Sequence, residues 1–265
     1  MEVTLLSKEK KANRISFVLG KSSTAFANAL RRCAIESVPT LAIEYVEFRK
    51  NTSALYDEVV AHRLGLIPIH TDLSSYKLPS ECPCGGVGCA QCQLKLTLKE
   101  KGPKTVYASD IVSSDPKAKP VYPGIPIVKL LKGQNLEIEL IAILGIGKDH
   151  TKWSPGSVYY KYLPTIKISK KGESCIECVE ACPIKVFVKN GSKLEINDKR
   201  LMDCHLCKAC EQTSGGEVTV DDNVHDFVFY VESWGQLKPE EVLIVATEYL
   251  DRKLDSFLEE FNKTG

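Results

Sequence analysis

The sequence predicts an α+β protein, and three features carry that prediction. Apolar and polar residues alternate over several short runs, the pattern of half-buried strands. Helical patterns lie between those runs, and a long helix with an apolar stripe closes the chain. Ten of the eleven cysteines fall in tight clusters with the spacing of metal ligands.

Taken in order, residues 2–6 and 14–19 read as strands, the second carrying Ile15, Phe17 and Leu19 on one face. Gly20 and the Ser22/Ser23 pair then start a helix that runs to about Ser37. It stops before Pro39, because a proline pushes the preceding residue out of helical geometry. Strands follow in IEYVEF, LKLTLK and LEIELIAI, with a helix in ALYDEVVAHRLG between the first two. Asp221 and Asp222 read as a polar turn before the strand HDFVFYVE. The closing segment KPEEVLIVATEYLDRKLDSFLEEFNK is the longest helix. Its Leu243, Leu250 and Phe257 recur every seven residues, as do Leu254 and Phe261. Such a stripe serves equally to pack on its own domain or to form a helical dimer interface.

A chain of 265 residues is long enough for about two domains and needs no metal merely to rescue a small fold. A formal charge of +1 with 26% charged residues gives no basis to predict direct nucleic-acid binding from electrostatics alone. The N-terminus lacks the apolar core of a secretory signal, and the longest apolar run, LIAILGIG, is far too short to span a bilayer. A cytoplasmic protein is expected, and with it metal sites rather than disulfides.

SCIECVEACPIKV supplies Cys175, Cys178 and Cys182, and MDCHLCKACEQTSGG supplies Cys204, Cys207 and Cys210. Two-cluster ferredoxins use C-x2-C-x2-C-x3-C-P twice, the fourth cysteine of each run serving the other run's cluster. On that rule Cys182, Cys204, Cys207 and Cys210 form one complete ligand set. The other set keeps only Cys175 and Cys178, because its remaining positions fall on Gly172 and Ser214. One iron-sulfur cluster is therefore predicted, 4Fe-4S by ligand count. It becomes 3Fe-4S if an orphan thiol, Cys175 or Cys178, forms a disulfide with Cys207, the least secure ligand. Zinc is the weaker competitor for this set. A second constellation, Cys82, Cys84, Cys89 and Cys92 in a glycine-rich loop, suits a tetrahedral Zn2+. Two local disulfides and free thiols are its alternatives. Lone Cys33 reads as core.

Two blocks, STAFANALRRCAIESVPTLAIEYVEF and DEVVAHRLGLIPI, resemble the N-terminal signature of the α-like subunits of multisubunit RNA polymerases. A third, GIGKDHTKWSPG, resembles the archaeal and eukaryotic members and not bacterial α. With the ferredoxin-like insert, the pattern is that of the archaeal D-type subunits, over essentially the whole chain. The resemblance implies a discontinuous dimerisation domain, 1–40 with 224–265. It also implies an inserted α/β domain, 41–166 with 215–223, and a ferredoxin-like iron-sulfur domain, 167–214. It implies pairing with the small α-like subunit L, through Leu243, Leu250, Leu254, Phe257 and Phe261. The pair would be the platform for the second-largest and then the largest subunit, with Arg31 and Arg32 facing a large subunit. His62 and Arg63 would shape the turn before Leu66. Relatives among the eukaryotic subunits carry a cysteine-rich zinc loop too, with a spacing that differs from C-x-C-x4-C-x2-C.

Two classes of function compete. One is a non-catalytic scaffold of DNA-dependent RNA polymerase, without direct DNA contact. The other is a ferredoxin-like electron carrier or redox-sensing module. No dense acidic motif for Mg2+ is present, and GIG at 145–147 is too short for a phosphate loop.

Overall fold

The computed structural model describes residues 1–264. In chain order the elements are β1 (Glu2–Glu9), β2 (Arg14–Gly20), α1 (Thr24–Glu36), β3 (Thr40–Asn51), α2 (Asp57–Gly65), β4 (Leu94–Lys101), β5 (Lys104–Tyr107), β6 (Val112–Ser113), β7 (Pro126–Leu130), β8 (Asn135–Gly145) and β9 (Gly156–Ile168). They continue with α3 (Glu177–Ala181), β10 (Phe187–Asn190), β11 (Lys193–Ile196), α4 (Asp198–Leu201), α5 (Ala209–Thr213), β12 (Val218–Ser233) and α6 (Pro239–Thr264). The helix start at the serine pair is as expected: the Ser23 hydroxyl accepts from the Phe26 N–H at 3.2 Å, which satisfies one orphan donor of the first turn. The polar turn at 221–222 is not there, because β12 runs through both aspartates. Local polarity suggests a turn, but Asp221 is exposed, and an exposed position in a paired strand accepts aspartate as well. The chain divides into two compact units.

One unit comprises Met1–Lys8, Ile15–Ala29 and Tyr159–Tyr230. Its larger sheet has the strand order β1-β2-β12-β9. The alternation of β2 places Ile15, Phe17 and Leu19 in the core, where Phe17 stacks on Phe229 with ring centroids 5.2 Å apart. Tyr160 adds an edge contact to Phe227 at 5.5 Å. The cysteine-rich part of this unit consists of α3, the β10–β11 hairpin, α4 and α5. It is held by a separate cluster of Val186, Phe187, Leu194, Val218 and Val220 together with Cys178, Cys204 and Cys210.

The other unit comprises Glu9–Arg14, Leu30–Val158 and Val231–Gly265. Its sheet has the order β3-β8-β4-β6, and β5 pairs with β7. Along β8 every second residue, Leu136, Ile138, Leu140, Ala142 and Leu144, is buried against β4 and α2 side chains such as Leu96, Leu98, Val60 and Leu64. Each fully buried Leu or Ile side chain contributes about 1.5–3 kcal/mol, so this face fixes the strand register.

The GIGKDHTKWSPG block belongs to this unit and is a packing device. Lys148 N–H donates to the Glu36 carbonyl (3.0 Å), and the Thr40 hydroxyl to the Trp153 carbonyl (2.7 Å). Trp153 Nε1 donates to the Ile143 carbonyl (3.3 Å), while Lys152 pairs with Glu44 and lies 4.4 Å above the indole ring. Cys33 is half-buried rather than in the core, and partial burial raises its thiol pKa. Among the described residues no helix is long and apolar enough to cross a membrane.

Candidate metal centres

Cys82, Cys84, Cys89 and Cys92 meet at one point. Their Sγ atoms lie 3.4 Å (82 to 84), 3.5 Å (82 to 89), 3.5 Å (84 to 92) and 3.9 Å (89 to 92) apart. A tetrahedral ion with Zn–S bonds of about 2.3 Å would set these separations at about 3.8 Å. Among the described residues this is the one group of Cys, His, Asp or Glu whose ligand atoms all lie within 4.8 Å of one another. The loop closes because Gly85, Gly86 and Gly88 all take positive φ (64°, 82° and 108°), which costs glycine little. The Cys84 thiol is lowered to about 6, chiefly by the Gly88 N–H and then by the Cys82 thiol. Cys82 is pushed up to about 12: the Cys84 backbone lowers it, but burial and the three neighbouring thiols outweigh that. Four such thiols cannot all ionise alone, and a bound cation replaces their protons.

The second set is of another kind. Cys182, Cys204, Cys207 and Cys210 line one pocket with Ile166, Ile184, Val186, Phe187 and Val220, and with the polar His205 and Lys208. These sulfurs are not gathered within single-ion distance, and most of the pocket's other lining is apolar, a setting that suits a polynuclear cluster. A backbone N–H already points at one of them. Val186 N–H donates to Cys182 Sγ at 3.4 Å. Burial raises the Cys204 thiol, against the Leu206 N–H and Lys161, and pushes Cys210 up to about 11.

The backbone carries a further mark. Among the described residues five non-glycine residues have positive φ, and three of them, Lys185 (57°), Leu206 (58°) and Lys208 (59°), lie in the two loops that carry Cys182 and Cys204–Cys210. Each costs about 1–2 kcal/mol, strain that clusters where a loop must wrap a ligand.

The two positions that lack cysteine have become structural. A Cβ on Gly172 would meet the Glu217 carbonyl oxygen at 2.7 Å, so the backbone leaves no room there for a thiol. Ser214 accepts from the Val218 N–H at 2.9 Å and donates to the Glu211 carbonyl at 3.3 Å. Of the orphan thiols, Cys178 is fully buried and Cys175 partly so, with their Sγ atoms 3.3 Å apart. Cys207 is exposed.

One residue escaped the sequence reading altogether. Lys161, on β9, is half-buried and donates to the Met202 carbonyl at 2.5 Å and the Cys204 carbonyl at 2.8 Å. Burial lowers its pKa, opposed by Cys204 and Asp203, and the Tyr230 hydroxyl donates to the same Met202 carbonyl at 3.1 Å. A lysine within an alternating strand gives no local signal of such a role.

The surface residues singled out above are also located. Arg32 pairs with Glu36 one turn along α1 at 3.2 Å, and Arg31 beside it is partly buried. Arg63 donates to the Pro126 carbonyl at 2.8 Å and so ties α2 to β7, while His62 lines a shallow pocket with Leu66 and Lys152. On α6, Val242 and Ala246 are buried, and Leu243 and Leu250 are half-buried. Beyond them Leu254, Phe257, Leu258 and Phe261 are 54–65% exposed, and Phe257 stacks on Phe261 at 6.1 Å.

A two-unit α+β chain with an inserted sheet domain, two cysteine centres and an apolar terminal helix is the class of the α-like polymerase subunits. In agreement, residues 46–165 match the family model of the RNA polymerase Rpb3/RpoA insert domain. The chain is 41% identical to DNA-directed RNA polymerase subunit Rpo3 of Methanosarcina acetivorans over 261 residues, covering 97% of each. It is 40% identical to Rpo3 of Archaeoglobus fulgidus over 256 residues (96% of this chain, 95% of the relative). With Rpo3 of Pyrococcus furiosus the identity is 38% over 263 residues (99% and 98%). The chain belongs to the Rpo3 family, the archaeal α-like D subunits of DNA-directed RNA polymerase, which are not the catalytic subunit.

Proposed function

We propose that the chain is a cytoplasmic assembly scaffold of RNA polymerase. It pairs through α6 with the small α-like subunit L and offers the pair as a platform to the second-largest and then the largest subunit. The observation that carries this reading is the exposed apolar end of α6, where Leu254, Phe257 and Leu258 are each more than half exposed. Contiguous exposed apolar surface of this kind marks an interaction site. Residues 1–40 and 224–265 form the dimerisation domain, 41–166 with 215–223 the inserted domain, and 167–214 the ferredoxin-like domain. Arg31 and Arg32 face a large subunit, where a planar guanidinium makes paired hydrogen bonds.

Within that scaffold Cys182, Cys204, Cys207 and Cys210 hold one 4Fe-4S cluster. Cys182, just after α3, and Cys204, Cys207 and Cys210, before and within α5, would hold the cluster, which would cross-link these two segments. The residues supply the rest. The Val186 N–H orients the Cys182 sulfur, Lys161 fixes the Cys204 loop, and apolar side chains surround the buried thiols. The near-equal spacing of the other four sulfurs supports Zn2+ at Cys82, Cys84, Cys89 and Cys92, since two disulfides would draw them into two separate pairs. Coexpression with the small α-like subunit tests the reading. A one-to-one pair that then captures the second-largest subunit is expected, and a chain that purifies alone refutes it.

A further inference from the structure

The cluster of the proposed function leaves Cys175 and Cys178 without a ligand role. Their placement is specific. The Cys178 N–H donates to the Cys175 carbonyl at 3.2 Å, so the two residues occupy one tight turn. Their Sγ atoms lie 3.3 Å apart. Cys178 is fully buried, and its S–H donates to the Cys210 carbonyl at 3.5 Å, whereas Cys175 is partly exposed. An accessible first thiol with a buried partner one turn later is the arrangement of a Cys-x-x-Cys redox pair.

The geometry points to a redox-active dithiol formed by Cys175 and Cys178, which closes on itself and leaves Cys207 to the cluster. The oxidant is a low-molecular-weight disulfide. Cys175, as thiolate, attacks one of its sulfurs, forms a mixed disulfide and releases one small thiol. Cys178 then attacks the Cys175 sulfur, giving the Cys175–Cys178 disulfide and a second small thiol. Two protein S–H groups are oxidised and one small disulfide is reduced to two thiols. Closure removes the S–H donor from the Cys210 carbonyl, so the state of the pair is felt at a cluster ligand. That last coupling rests on the cluster reading; the disulfide itself does not.

The sequence makes the test direct, because trypsin cutting after Lys171 and Lys185 puts Cys175, Cys178 and Cys182 on one peptide. Cutting after Arg200 and Lys208 puts Cys204 and Cys207 on another. The full chain, purified without oxygen, is treated with oxidised glutathione, quenched in acid with an alkylating agent, and analysed by peptide mass with fragmentation. Iron is counted on the same sample. The expected result is the 172–185 peptide lighter by two hydrogen atoms, with fragments placing the bond between Cys175 and Cys178 and iron unchanged on oxidation. A cross-link between the two peptides, a bond to Cys182, or fully alkylated peptides would each overturn the proposal. Iron missing before treatment refutes the cluster, while the peptide still decides the disulfide.

Discussion

Gly147 has no side chain because there is no space for one: a Cβ would stand 2.2 Å from the Ile35 carbonyl oxygen, at the end of α1. Gly147→Ala must therefore shift backbone, and overpacking of this sort costs about 1–3 kcal/mol. A lowered thermal midpoint with unchanged metal content is expected; an unchanged midpoint would show that the contact yields. The glycine stood out in the sequence only as part of a motif, since a close approach between distant segments leaves no periodic trace. Lys161 is the same lesson at greater cost to function. Its two carbonyl acceptors flank the Cys204 loop, and Lys161→Met leaves the buried Cys204 carbonyl without that donor, at about 1–3 kcal/mol. Iron per chain should fall and its loss to a chelator should accelerate, with helix content unchanged. Iron retention equal to the parent would remove Lys161 from the site.

At the scale of elements, the strands and helices announced themselves wherever one face meets a core. The alternation in β2 and β8 and the stripe of α6 come from burial of one side, and burial is what periodicity records. The Asp221/Asp222 pair misled because two adjacent aspartates interrupt the apolar alternation of Val218, Val220 and Val224 in β12. The cysteine loops were legible through spacing alone. Their left-handed residues Lys185, Leu206 and Lys208 were not, since none is glycine or asparagine. Equally hidden was the reason for one missing ligand: Gly172 is fixed by the Glu217 backbone, a contact about forty-five residues away in the chain.

For the whole molecule, α6 is the proposed assembly face. Membership of the Rpo3 family and the exposure of Leu254, Phe257 and Leu258 are independent grounds for it. The sequence could place the stripe but could not decide whether it packs at home. That depended on where the fold ends beneath the helix, which is near Leu250. The most direct measurement is light scattering after size exclusion on the chain mixed with the small α-like subunit, for the parent and for Leu254→Asp/Phe257→Asp. Both positions are exposed, so the variant should keep the parent's thermal midpoint and iron. A one-to-one complex is expected for the parent and separate chains for the variant. A variant that pairs as tightly as the parent would contradict that role of α6.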